Sequence, residues 1–301
     1  MLDLTPKEIT ERKGLVINPA KTCQPIGAMY AALGIKGCMP HSHGSQGCSS
    51  YHRMHLTRHF RDPIIGTTSS FTEGAAVFGG KSNLTDSIKN IFTIYNPDVI
   101  AINTTCLSET IGDDIPSIVL ATEVPEGKVV FHANTPSYVG SHITGFSNMV
   151  KAMVRTFTKP KATDNGKINV IPGFVNPGDM REIKTLLKAM DVPFIMLPDT
   201  SGVVDTAMTG KYEMFSKGGT TVDELKETGD SMATFALGQW ASEGAANDIE
   251  KKAKVKSLTL KTPIGVKATD EFLMAVSEIT GKAIPAEIEE ERGQLVDVLT
   301  D

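Results

Sequence analysis

Asp98–Thr105 reads DVIAINTT and runs straight into CLSETIGDD, Cys106–Asp114. A short β-branched apolar run closed by a polar cluster is the pattern of a strand that ends in a turn. Four further stretches repeat it: KVVFHANT (Lys128–Thr135), KINVIPGF (Lys167–Phe174), VPFIMLPD (Val192–Asp199) and SMATFALG (Ser231–Gly238). Between them, NLTDSIKNIFTIY (Asn83–Tyr95), DMREIKTLLKAM (Asp179–Met190) and TVDELKETG (Thr221–Gly229) place apolar residues at helical spacing. This alternation predicts an α/β architecture with largely parallel sheets. Such sheets put their sites outside the carboxyl ends of the strands, which directs attention to Cys106.

With 301 residues, 40% of them hydrophobic, the chain can bury a substantial core, and at about 150 residues per domain it holds about two. The net charge of −5 argues against nucleic acid or an anionic membrane surface as a partner. No apolar run reaches the roughly 18 residues of a membrane helix. The opening MLDLTPKEITERKG, Met1–Gly14, lacks the apolar centre of a signal peptide, so a cytoplasmic protein is expected. The polar stretch TFTKPKATDNGK, Thr156–Lys167, predicts a boundary. It divides the chain into a leader over 1–20, an α/β unit over 21–160 and a second over 161–301. AIPAEIEEERGQLVDVLTD, Ala283–Asp301, reads as a charged helix with no C-cap glycine, expected to lead into further structure.

All four cysteines and all seven histidines lie in the first unit, and no two cysteines form a C-x-x-C pair. Cys23 (in INPAKTCQPIGA), Cys48 (after HGSQG) and Cys106 sit at element junctions, where helix N-terminal amides favour thiolate. Any one of them alone reads more readily as a small buried hydrophobe. Three at successive strand-end loops point to soft ligands for an iron–sulfur cluster. Cys38 has no comparable turn chemistry. Ser141, in VGSHITGF, reads as a helix N-cap or as an oxygen ligand beside the cluster. His41, His43, His52, His55 and His59 lack the H-E-x-x-H pattern and a paired carboxylate, so polar packing around a buried site is expected of them. Arg53, Arg58 and Arg61 would balance anionic charge nearby. GAAVFGGKSN imitates a phosphate-binding loop, but Gly74 lies one residue too far from Gly80. A loop leading into a helix from Asn83 is expected there.

Six motifs in order, INPAKTCQPIGAMYAALGI, HGSQGCSSYHR, TRHFRDP, TSSFTEGAAVFGG, TTCLSETIGDD and TPSYVGSHITGF, resemble the successive signatures of nitrogenase component 1 β subunits. IPGFVNPGDMREIKTLL and TPIGVKATDEFL carry the resemblance through the second unit. It implies consecutive Rossmann-like parallel-sheet domains, with a third domain of the family following residue 301. It implies that Cys23, Cys48 and Cys106, with three cysteines of an α subunit, hold the eight-iron, seven-sulfide P-cluster, Cys48 bridging its halves and Ser141 serving as a redox-responsive ligand. It implies a docking surface at Phe78 for an ATP-hydrolysing iron protein. Arg61 and Asp62 would help bind a mononuclear metal where two β subunits meet in an α2β2 tetramer. Electrons would pass to an iron-molybdenum cofactor held only by the α subunit, for reduction of dinitrogen to ammonia. Vanadium- and iron-only relatives fit the same motifs. A cofactor-assembly scaffold shares HGSQGC but generally lacks cysteine at the positions of Cys23 and Cys106. A protochlorophyllide reductase and a P-loop nucleotide-binding protein are the remaining rivals.

Overall fold

The computed structural model describes residues 21–208, 210–211 and 213–300; the expected leader lies outside them. The chain forms two four-stranded sheets, each parallel throughout.

The first half runs α1 (Gln24–Leu33), β1 (Cys38–His43), α2 (Gln46–Phe60), β2 (Thr67–Thr68), α3 (Glu73–Phe78), α4 (Lys81–Tyr95), β3 (Val99–Thr104), α5 (Cys106–Ile111), α6 (Ile115–Ala121), β4 (Val129–Ala133) and α7 (His142–Phe157). Its sheet has the order β2-β1-β3-β4, with His41 beside Thr67, His43 beside Thr104 and Asn103 beside Ala133. The second half runs β5 (Ile168–Ile171), α8 (Pro177–Ala189), β6 (Phe194–Met196), α9 (Val222–Glu227), β7 (Ala233–Leu237), α10 (Gly244–Ala253), β8 (Lys256–Leu260), α11 (Val266–Thr280) and α12 (Ala286–Thr300). Its sheet order is β6-β5-β7-β8. This is the α/β architecture the alternation predicts.

Three strands escape the sequence reading. β1, CMPHSH, is buried along its whole length yet polar in its second half, so it shows no continuous apolar signature. β8, KSLTL, is an edge strand with partly exposed residues, and β2 is two residues long. The expected loop before Asn83 is also corrected. Glu73–Phe78 forms α3, and the following helix begins at Lys81.

α1 is buried at all ten positions, and α7 lies against it. Their backbones touch through glycines: a Cβ on Gly27 would stand 1.8 Å from the His142 carbonyl oxygen, and one on Gly145 would stand 1.9 Å from that of Gln24. Around this pair one apolar cluster joins both sheets, from Val99, Ala101 and Phe131 to Ile171, Ala236 and Ala246. Two smaller cores lie elsewhere, one containing Met39, Leu84 and Ile100 and the other Ile168, Phe235 and Phe272.

Candidate functional site

Each expected cluster ligand stands at the start of a helix. Cys23 is the N-cap of α1, Cys48 the third residue of α2, Cys106 the first of α5 and Ser141 the N-cap of α7. Free amides and the positive end of the helix dipole favour anionic sulfur or oxygen at such positions. Cys23 and Cys48 are half-buried and Cys106 is exposed. Cys38 differs on every count. It opens β1 inside the core at 3% exposure, where burial pushes its thiol pKa up and keeps it protonated.

The sheet pairing brings the helix starts together. Thr105 donates its amide to the His43 carbonyl at 3.2 Å, and a Cβ on Gly44 would stand 1.9 Å from Thr105 Oγ1. The loops bearing Cys48 and Cys106 are therefore in contact. Thr135 donates its amide to Thr104 Oγ1 (2.7 Å) and its hydroxyl to the Thr104 carbonyl (2.6 Å), tying the exit of β3 to the loop that reaches Ser141. Gln24 Nε2 donates to the carbonyls of Pro136 and Val139, and the His142 amide donates to the Thr22 carbonyl at 3.0 Å, so Cys23 and Ser141 are neighbours through α1 and α7. Among the described residues, no three His, Cys, Asp or Glu side chains converge on a single ion.

Sequence reasoning missed what surrounds the histidines. His41 and His43 are fully buried, and Ser69 Oγ lies 2.8 Å from both His41 Nε2 and His43 Nδ1. His43 Nε2 meets Asp113 Oδ2 at 3.0 Å, and His41 Nδ1 meets Thr67 Oγ1 at 2.9 Å. Burial lowers the pKa of both imidazoles, that of His41 to about 3, and for His43 it outweighs the raising effect of Asp113. Ser69 and Asp113 fall within TSSFTEGAAVFGG and TTCLSETIGDD, but nothing in either motif marks them as partners of a histidine. His55, His59 and His142 instead line a cavity of about 400 Å3 with Tyr30, Phe60 and Phe174. Arg53 donates Nε to the Ile64 carbonyl rather than pairing with an anion.

Phe78 ends α3 at 89% exposure, with Val77 beside it at 74%. Gly79 has φ +92°, and the Gly80 amide donates to both oxygens of Asp113 at 3.0 and 3.1 Å. A carboxylate thus occupies the anion position that a phosphate would need, and α3 rather than a strand precedes it. Arg61 is the left-handed C-cap of α2 (φ 62°), and Asp62 follows it half-buried.

Residues 23–301 match the family described as Nitrogenase component 1 type Oxidoreductase. The chain belongs to that family. The nitrogenase molybdenum-iron protein beta chain of Clostridium pasteurianum is 63% identical over this whole chain, which spans 67% of that relative's length. The corresponding chain of Azotobacter vinelandii is 43% identical, with 99% of this chain and 59% of that one covered. A solved structure titled Nitrogenase Cp1 at pH 6.5 superposes with a TM-score of 0.93 at 63% identity, covering all of this chain and 67% of that one. A second, titled Nitrogenase Cp1 at pH 5, shares the fold at a TM-score of 0.71 and 18% identity. Nitrogenase component 1 implies iron–sulfur chemistry, and the donor set here fits it. Three soft thiols stand at helix starts, while the fourth is sealed in the core. Among the described residues no helix is long and apolar enough to cross a membrane.

Proposed function

We propose that this chain acts as the β subunit of a cytoplasmic nitrogenase component 1, with Cys23, Cys48 and Cys106 holding one half of a P-cluster shared with an α subunit. The placement of all three thiols at helix starts, two of them just past the carboxyl ends of the central strands β1 and β3, carries this reading. Residues 21–160 form the cluster-bearing unit and 161–301 the unit that supports it. When bound, the cluster supplies one-electron storage between the iron protein and the iron-molybdenum cofactor of the α subunit, which reduces dinitrogen to ammonia with ATP hydrolysed by the iron protein. Cys23, Cys48 and Cys106 would supply the sulfur ligands from this chain. Ser141, one residue before α7, offers an oxygen whose deprotonated form joins the ligand set, and its own amide is occupied by Thr144 Oγ1 at 3.3 Å. Phe78 and Val77 present the apolar surface for the iron protein. Arg61 and Asp62 contribute oxygens to a mononuclear metal between two β subunits of an α2β2 tetramer. The presence of Cys23 and Cys106 favours the enzyme subunit over a cofactor-assembly scaffold.

The test is anaerobic co-purification with an α subunit, followed by iron and acid-labile sulfide analysis and EPR before and after oxidation. The expected result is iron and sulfide beyond the α subunit's own cofactor, with a signal appearing on oxidation. An iron-replete α cofactor beside an iron-free interface would contradict the reading.

A further inference from the structure

Counting protons around the buried histidines fixes a direction. Asp113 accepts, so His43 donates from Nε2 and, being neutral, must accept at Nδ1. Ser69 supplies that proton and accepts in turn from His41 Nε2, whose Nδ1 lies 2.9 Å from Thr67 Oγ1, a hydroxyl that also reaches the Pro40 carbonyl at 3.3 Å. From Asp113 through His43 and Ser69 to His41 Nε2, each donor thus meets an acceptor. Such a network is an expensive way to fill space, since apolar groups of the same shape stabilise as well or better, and what it provides is geometry.

What the network joins is informative. At one end, His43 leads through Gly44 into the loop of Cys48, and the Phe71 amide and Thr68 hydroxyl both donate to the Gly44 carbonyl, at 2.9 and 3.3 Å. At the other, Asp113 directly follows the C-cap of the Cys106 helix and receives the Gly80 amide twice. Phe71 stands edge-on to His43 at 4.8 Å, and a Cβ on Gly80 would come within 2.1 Å of its ring. Asn83, in α4, donates to the Ser69 carbonyl at 3.1 Å. The turn that carries Val77 and Phe78 is thus bolted to both cysteine loops by one buried carboxylate and one buried imidazole, at 8% and 0% side-chain exposure.

We propose that His43 and Asp113 are positioning residues, which hold the exposed Val77–Phe78 turn at a fixed place against the Cys48 and Cys106 helix starts. The inference rests on the reading of Phe78 as the reductase-docking residue. A docked iron protein would then meet the cluster at a set distance and orientation, and loosening the brace would slow electron delivery while the thiol ligands stay in place.

The experiment uses the complete β chain in its complex with the α subunit, comparing wild type, Asp113→Ala, Asp113→Asn, His43→Gln and Phe78→Ala. Iron per complex, affinity for the iron protein, single-turnover electron transfer and hydrogen exchange at the Gly80 amide are measured. Asp113→Ala and His43→Gln are expected to keep their iron. Their transfer should slow by about tenfold or more, the scale of loss that small misplacements cause. Gly80 exchange should accelerate in Asp113→Ala, and Asp113→Asn, which keeps a carbonyl acceptor, should restore much of the rate. A wild-type transfer rate in Asp113→Ala or His43→Gln with iron intact overturns the proposal, as does iron lost in proportion to rate in both. Phe78→Ala separates the two readings. Wild-type reductase affinity there overturns the docking assignment and the brace with it. Weakened affinity there, beside an unaltered rate in Asp113→Ala, overturns the brace alone.

Discussion

His41 and His52 stay neutral because burial leaves a protonated ring without solvent, and each also faces another histidine, His43 and His55 respectively. Their pKa values fall from 6.5 to about 3 and about 4. The unfolded chain takes up these protons near pH 6.5 and the folded chain does not. Stability is therefore full above that pH and is lost as pH falls toward 4 and then 3, at about 2 kcal/mol per histidine by pH 5. Denaturant unfolding at pH 7 and pH 5 should show this as a lower midpoint at pH 5, and equal midpoints would contradict it. The cysteines divide in the same way, by environment. Cys38→Ala removes packed volume and a weak contact with the Ala101 backbone, so it should cost about 1 kcal/mol in thermal unfolding and leave cluster iron unchanged. The junction positions of Cys23, Cys48 and Cys106 were legible because each follows or precedes recognisable turn chemistry. Asp113 and Ser69 were not, because only the pairing of β1 with β2 and β3 brings them to His43.

At the scale of elements, the contact between α1 and α7 sets the distance from Cys23 to Ser141. Glycine is required at 27 and 145 because a carbonyl oxygen from the other helix occupies the place of each missing Cβ. Gly27→Ala or Gly145→Ala must push the helices apart and should cost about 3 kcal/mol or more, in the upper range of overpacking. Thermal unfolding of the complex would show the loss, and cluster iron should fall with it. Unchanged stability would mean that the helices can separate freely. Five strands and the helices α4, α8 and α9 were legible from apolar periodicity, since their cores are aliphatic. β1 was not, because its buried polar side chains are satisfied by partners distant in sequence, such as Ser42 by Asn103 at 3.2 Å.

Across the whole molecule, the two sheets share one apolar cluster through α1, α7 and α10, although residues 158–167 between them form no helix or strand. Cleavage within 158–167 should therefore leave the two parts associated and unfolding in one cooperative transition. Separate transitions, or release of folded halves, would contradict the shared core. The polar linker was legible in the sequence, but the common core was not, because apolar periodicity shows which face of a helix is buried and not against what. The three junction cysteines can be tested as cluster ligands in a single experiment. EPR of the oxidised α–β complex, with matched α-cofactor content, is compared between wild type, Cys106→Ala and Cys38→Ala. The account predicts that the oxidation-dependent signal vanishes in Cys106→Ala and persists in Cys38→Ala. A full signal in Cys106→Ala would contradict it.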